Sequence, residues 1–228
     1  MRLSVIIPVL NEADRIESLV HYLIQNGGSA LEEVLVVDSG SKDDTARLAM
    51  LAGASVLQCP VRSRAAQMNM GAKAARGDVL YFVHADTIPP PSFPDDIRSG
   101  LHAGFRMGCY RYRFDNPSVF LRINAFFNRF QWLWCQGGDK TFYITRETFF
   151  QFGGYNEYYV VMEEYDFLRR VMRHYPLQII PKYAVVSARK YVQNGWLRVQ
   201  LANALVFNLF RLGMAPGRLK KIYKNMLR

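Results

Sequence analysis

Val34-Leu35-Val36-Val37-Asp38-Ser39-Gly40-Ser41 is an unbroken apolar run, mostly β-branched, that stops on an aspartate and a turn. Such a run predicts a strand buried on both faces, as in a parallel sheet. Ser4-Val5-Ile6-Ile7-Pro8-Val9-Leu10-Asn11-Glu12 and Leu80-Tyr81-Phe82-Val83-His84-Ala85-Asp86 repeat the arrangement. A later stretch, Glu163-Glu164-Tyr165-Asp166, adds further acids. Open α/β sheets bind ligands beyond the carboxyl ends of their strands, so polar groups delivered to that edge predict one site.

Working outward, Ile16, Leu19, Val20, Leu23 and Ile24 form a helical stripe that Asn11 is placed to cap and Asn26-Gly27-Gly28 to end. Ser41 or Asp43 starts a short helix through Leu48 and Leu51, and residues 55–58 read as a strand. Residues 64–75 are Ala-rich and helical, and residues 78–84 form a fourth strand. Short loops joining alternating strands and helices imply a parallel sheet with right-handed crossovers.

The second half is less regular. Pro89-Pro90-Pro91 and Pro94 oppose continued helix or central strand. Strands are expected at residues 108–114, 142–144 and 179–180, and helices at 163–174 and 196–212. Apolar residues at Phe120, Ile123, Phe127, Phe130 and Trp134 predict one aromatic-rich helix over 120–134, broken by Gly137-Gly138-Asp139. Neither repeats nor low-complexity segments occur.

The 228 residues are half apolar and carry a net charge of +10, which suits one compact domain or a domain with a helical appendage. Nucleic acid, anionic lipid or a polyphosphate substrate would each answer that charge, as would a merely basic soluble surface. Arg211, Arg218, Lys220, Lys221, Lys224 and Arg228 crowd the C-terminus. Even the most apolar segment, 199–210, is bracketed by Arg198 and Arg211 and is too short for a membrane span. A strand opens the chain, so no signal peptide is expected. Cys59, Cys109 and Cys135 lack metal-site spacing and read as reduced thiols, which implies a cytoplasmic protein without structural zinc.

Neither GxGxxG nor GxxxxGK[ST] is present, which argues against a dinucleotide dehydrogenase or a P-loop kinase. Acids at strand ends suit a nucleotide diphosphate bridged by Mg²⁺ or Mn²⁺, because carboxylates face phosphates only across a cation. Residues 4–16 (SVIIPVLNEADRI), 34–45 (VLVVDSGSKDDT), 64–71 (RAAQMNMG), 82–89 (FVHADTIP), Gly153 to Glu157 and 162–168 (MEEYDFL) resemble, in order, the segments of glycosyltransferase family 2. A group of small stand-alone bacterial members is more similar still, with HAD in place of DxD. Gly137-Gly138-Asp139-Lys140, Ser187-Ala188-Arg189-Lys190 and the stretch from Arg211 to Leu219 resemble further segments of that group.

The resemblance implies a GT-A-like, mostly parallel sheet flanked by helices, with a C-terminal amphipathic helical extension. Residues 1–190 would be the transferase domain, divided into a nucleotide-sugar half (1–90) and an acceptor half (91–190), with 191–228 as the basic extension. Asp86 is expected to hold the metal; its alternative is a turn-capping aspartate. His84 replaces an aspartate and could meet ribose or metal, or simply pack. Asp38 is expected to accept from the base, the alternative being an Asx turn. Pro8, Leu10, Glu12 and Ser39 fall in the donor pocket, although Glu12 could only complement a helix dipole. Arg64 is expected beside the diphosphate, or else solvated.

Inverting transfer needs a base, and Glu164 stands where the family has a catalytic aspartate. The extra methylene moves its carboxylate by more than about an ångström, enough to require a different pocket or acceptor. Glu163, Trp134 and Asp139 are assigned to the acceptor side, with helix-capping chemistry as the alternative for Glu163. The implied partners are a nucleotide-diphosphate sugar and an unidentified acceptor, lipid-linked if the aromatic and basic helices rest on the inner face of the cytoplasmic membrane. Core packing and a homodimer face are the other readings of those helices, and aromatic stripes at helical spacing usually point inward. Nucleic acid is not an expected partner of the transferase, though nucleic-acid or membrane contact would be the role of a non-catalytic module. The rival functions are a degenerate, non-catalytic binding module and a nucleotidyltransferase, the latter disfavoured because Val9 to Glu12 offers no glycine- and lysine-rich loop.

Overall fold

The computed structural model describes residues 1–137 and 140–227. Eight strands form one sheet: β1 Leu3–Val9, β2 Leu31–Asp38, β3 Ser55–Gln58, β4 Val79–Phe82, β5 Thr87–Ile88, β6 Met107–Phe114, β7 Phe142–Thr145 and β8 Gln178–Val186. Their order across the sheet is β3-β2-β1-β4-β7-β6-β8-β5. β1 to β4 pair in parallel, whereas β7 runs antiparallel to both β4 and β6, and β6 returns parallel to β8.

The helices are α1 Ala13–Gly27, α2 Thr45–Leu51, α3 Arg64–Ala74, α4 Phe93–His102, α5 Val119–Phe126, α6 Arg146–Gln151, α7 Glu163–Val171, α8 Arg189–Asn194, α9 Trp196–Arg211 and α10 Pro216–Met226. Successive residues of a strand face opposite sides, so β1 feeds two cores. Val5 and Ile7 pack with Ile16, Leu19 and Leu23 of α1, whereas Ile6 packs with Met68 and Ala72 of α3 and Phe167 of α7. Pro8 is tolerated in this central strand because Ile6 O accepts from Val83 N, and two residues further on β4 has already turned away.

Four expectations are corrected. Asn11 does not cap α1: it takes a left-handed conformation, φ 56°, and Glu12 stands before the helix. The short second helix starts at Thr45, because Asp43 accepts from Thr45 N and so forms a turn ahead of it. Pro94 lies in the first turn of α4, where its missing N–H has no helical partner to lose.

The fourth correction concerns the aromatic stripe, which is not one helix. α5 ends at Phe126, and only two short 3₁₀ turns, Phe127–Arg129 and Leu133–Cys135, follow. Asn128 Nδ2 donates to Tyr112 O at 2.7 Å, and the Gln136 side chain donates to Phe130 O. Phe120 and Ile123 on α5, and Phe127 and Trp134 beyond it, face outward, while Leu121, Asn128 and Cys135 turn in.

Candidate active site

The loops after β1 and β2 are tied to each other by short polar side chains. Asn11 N donates to Ser41 Oγ (2.9 Å), and Lys42 N donates back to Asn11 Oδ1 (2.8 Å). Glu12 N donates to Thr45 Oγ1 at 2.8 Å. Beneath them Gln67 of α3, buried, donates one amide to both Val9 O and Val37 O, at 2.8 and 2.7 Å. It fastens the ends of β1 and β2 side by side. Asp38 is 2% exposed and accepts from Ser41 N (3.0 Å) and Ser41 Oγ (2.6 Å). The turn chemistry weighed for Asp38 is therefore present. Ser39 is buried beside it, while Pro8 is half-buried and Leu10 is exposed at the rim.

α7 brings the second group of residues to the same edge. Met162, immediately before α7, has φ 71°, a left-handed conformation that costs a side-chain-bearing residue about 1–2 kcal/mol. Packing offsets the strain, since Met162 lies against the cluster of Val206, Phe210 and Leu219 contributed by α9 and α10. The first turn of α7 then carries both Glu163 and Glu164.

Glu164 Oε1 lies 3.3 Å from His84 Nε2, at the end of β4. The two positions that depart from the family pattern, a histidine for an aspartate and a glutamate for an aspartate, are thus in contact. Ribose, metal or packing are the expectations for His84, and the Glu164 carboxylate is a partner beyond these. Glu163 is 5% exposed, and burial raises its carboxyl to about 7. Arg64, whose Nε is 3.9 Å from Glu163 Oε1, opposes the rise without cancelling it, and neighbouring Glu164 adds to it.

Asp86 sits half-buried two residues past His84, and its carbonyl accepts from Ser187 N at 3.1 Å. That bond brings in α8, whose Arg189 Nη2 donates to Glu12 Oε1 at 2.9 Å. The Glu12 bond, and the nearby charges of Glu12 and Asp86, hold the Arg189 guanidinium more firmly protonated. Arg189 thus closes the edge between the β1 loop and the β4 turn, a position that only its place in the Ser187–Lys190 segment could have signalled. Among the described residues, no three Asp, Glu, His or Cys side chains gather into a self-sufficient metal cluster. Asp86, with His84 beside it, supplies at most two donors. Such a donor set fits a hard cation whose remaining ligands are phosphate oxygens and water.

Of the remaining expected residues, Trp134 is half exposed and stacks on Trp132, with ring centres 5.8 Å apart. Asp139 lies outside the described residues. Gly137 approaches α7 so closely that a Cβ there would fall on the Tyr165 ring. The segment containing Trp134 therefore meets the helix that carries Glu164. A larger cleft of about 590 Å³ beside the turn at Gly153 and Gly154 contains none of His84, Asp86, Glu163 or Glu164. Its polar groups hold one another: Asn69 Nδ2 donates to Glu157 Oε1, and Asp166 accepts from Arg170, which also donates to Gly154 O.

The family model for glycosyl transferase family 2 matches residues 4–156. The glucosyl-3-phosphoglycerate synthase of Mycolicibacterium paratuberculosis is 34% identical over 96 residues, 39% of this chain and 29% of that protein. The Mycobacterium tuberculosis enzyme of the same name is 33% identical over 96 residues, 30% of its length. The match therefore spans under a third of these curated relatives. In structure, the M. tuberculosis synthase in complex with Mn²⁺, UDP-glucose and phosphoglyceric acid aligns at a TM-score of 0.67 and 21% identity, over 93% of this chain and 80% of its own. A Pyrobaculum calidifontis mannosyltransferase in complex with GDP-mannose and Mn²⁺ aligns at 0.72 and 21% identity, over 98% and 68%. At these identities the structural likeness is one of fold: a mostly parallel sheet flanked by helices, as in GT-A glycosyltransferases.

Proposed function

The chain belongs to glycosyl transferase family 2, and we propose that it is a glycosyltransferase that moves a sugar from a nucleoside-diphosphate donor to an acceptor hydroxyl with inversion at the anomeric carbon. The observation that carries this reading is the Glu164 carboxylate, set in the first turn of α7 and 3.3 Å from His84 at the end of β4. A carboxylate so placed faces the edge at which α/β sheets bind ligands.

In this reading, the acceptor oxygen attacks the anomeric carbon from the side opposite the diphosphate. Glu164 takes the hydroxyl proton as the new C–O bond forms, and the nucleoside diphosphate leaves with the electrons of the old one. His84 is a positioning residue whose ring nitrogen fixes the longer glutamate arm, so that its carboxylate returns to the working position. Asp38 and Ser39 border the base, with Pro8 and Leu10 on the other side of the nucleotide. Arg64 and Arg189 supply positive charge for the phosphates. Mg²⁺ or Mn²⁺, held by Asp86 together with the diphosphate, would neutralise charge on the leaving group. Solved relatives bound to UDP-glucose or GDP-mannose with Mn²⁺ support this donor class.

Glu164→Gln tests the reading. It should retain nucleotide binding and lose transfer; transfer at the wild-type rate would remove Glu164 from the role of base.

A further inference from the structure

From its exposed apolar face we propose that the surface formed by α5, the 3₁₀ turns after it and α9 docks on a bilayer bearing anionic headgroups, where the acceptor is met. On α5, Val119, Phe120, Ile123 and Phe126 are exposed, and Phe127, Trp132 and Trp134 extend the apolar surface beyond the helix. Their rings form a continuous array, with Phe130–Trp132 centres 4.6 Å apart and Phe127–Trp134 centres 5.6 Å apart. α9 adds a second stripe: Leu197, Leu201 and Leu205, followed by Leu212 one residue past the helix, all exposed. The opposite face of α9, Val199, Ala202, Val206 and Phe210, is buried, so the leucines are surplus to the core.

The two stripes are joined. Phe120 of α5 packs on Trp196 at the start of α9, with ring centres 5.1 Å apart. Exposed aromatic and leucine side chains on this scale mark an interaction surface rather than scattered apolar residues. Among the described residues, no helix is long and apolar enough to cross a membrane, so the face would lie on a bilayer.

Charge selects the partner. At about 100° per residue, Arg198 and Arg211 fall on either side of the α9 leucine stripe. Arg122 and Arg129 flank the α5 stripe, and the Arg129 guanidinium lies 3.9 Å from the Phe126 ring centre. The sequence has no Asp or Glu from 167 to 228, and none from 116 to 138. A second copy of so cationic a face would repel the first, whereas anionic headgroups complement it. Tryptophan rings bordered by arginine also suit the bilayer interface, where one end of the side chain is apolar and the other wet.

The surface leads to the site, because Trp134 lies three residues before Gly137, which packs on Tyr165 next to Glu164. An amphiphilic acceptor could keep its apolar part against this face and present its hydroxyl to Glu164. That step rests on the transferase reading. Docking itself is scored without turnover, so the two can fail separately.

The chain's three tryptophans, Trp132, Trp134 and Trp196, all lie in or beside this face and report on it without a label. The protein is mixed with vesicles of phosphatidylcholine alone, or of phosphatidylcholine with phosphatidylglycerol. Flotation with the anionic vesicles, a blue shift of tryptophan emission and weakening by salt are the expected results. Leu201→Gln with Leu205→Gln should lower the vesicle affinity about tenfold or more. Arg198→Gln with Arg211→Gln, which leaves the apolar stripe intact, should selectively lower affinity for the anionic vesicles. Unshifted emission with no flotation would overturn the proposal. So would equal binding to both vesicles, or a dimer in sedimentation that the leucine substitutions dissociate while vesicle binding stays absent.

Discussion

The two sides of the proposed site present different surfaces. On the donor side, short polar side chains fix the backbone of one loop against another: Asn11 with Ser41, Thr45 with Glu12, and Gln67 with both strand ends. On the proposed acceptor side, Asn128 and Gln136 likewise bond to backbone, but the chain from 115 to 137 leaves its aromatic rings outward. Lys140, buried, donates to Asn128 O and Gln136 Oε1 from beneath that segment, and burial pushes its ammonium group toward the neutral form. A nucleotide presents the same groups to many enzymes, so its loops can be fixed in advance by local hydrogen bonds. An acceptor differs from one transferase to the next, and the wall proposed here to meet it is an apolar surface exposed at the outside of the molecule.

Four perturbations separate the two sides, and the strongest is chemical. Glu164→Gln should lower kcat by about 10²–10⁴-fold while leaving the nucleotide dissociation constant unchanged, because a general base acts in the transition state. Steady-state kinetics beside calorimetric binding would show the split. Loss of nucleotide binding instead would mean that Glu164 belongs to the donor side.

Glu163 ties the same helix to the pH of the medium. Its carboxyl is raised by burial from 4.5 to about 7 in the folded chain. Between those values the native state holds a proton that the unfolded state releases, so the contribution of Glu163 to stability is constant below about 4.5, falls as pH rises, and levels off above about 7. The loss is at most about 3 kcal/mol, at about 1.4 kcal/mol per pH unit. Denaturant unfolding across this window should therefore slope downward in the wild type and flatten in Glu163→Gln. An equal slope in both would show that Glu163 ionises normally.

Gln67→Met probes the donor side. It keeps the volume but leaves the carbonyls of Val9 and Val37 without this donor, at a cost of about 2 kcal/mol. Urea unfolding should register the loss, and nucleotide affinity should fall with it. The smallest effect expected is the coupling between His84 and Glu164, about 1 kcal/mol in a double-mutant cycle. His84→Asp and Glu164→Asp should each lower kcat, and the pair together should lose less than the product of the two. Strict additivity would mean that the 3.3 Å contact does nothing for transfer.

How much of this was legible follows the same division. β1 to β4 and their helices were readable because the strands are short, mostly apolar runs that stop at turn residues, and the helical stripe of α1 keeps its period. β8 was seen only as residues 179–180, although it extends to Val186. Pro181 and Lys182 interrupt its apolar pattern, and pairing with β6, across a register shift at Tyr110 and Arg111, holds it as a strand. Residues 127–135 kept an apolar rhythm that imitated a helix, but Asn128 and Gln136 spend their side chains on the backbone and break it.

The proposed site was legible as residue types and not as partners. Asp38, His84, Asp86, Glu163 and Glu164 could be named from motifs. The pairing of His84 with Glu164 joins positions 80 apart, which no local pattern encodes. Two departures from one family pattern within one proposed site were the available hint of a contact between them. Arg189 was missed for a similar reason: its partner Glu12 is 177 residues away.

The most direct test of the central claim, a metal-assisted nucleotide site at the ends of β1, β2 and β4, is a calorimetric titration with a panel of nucleoside diphosphates, with and without Mn²⁺, on the wild type and on Asp86→Ala. The account predicts that one nucleotide binds, that binding requires the ion, and that Asp86→Ala abolishes it. A folded wild type that binds none of them, or an Asp86→Ala variant that binds as tightly as the wild type, would contradict it.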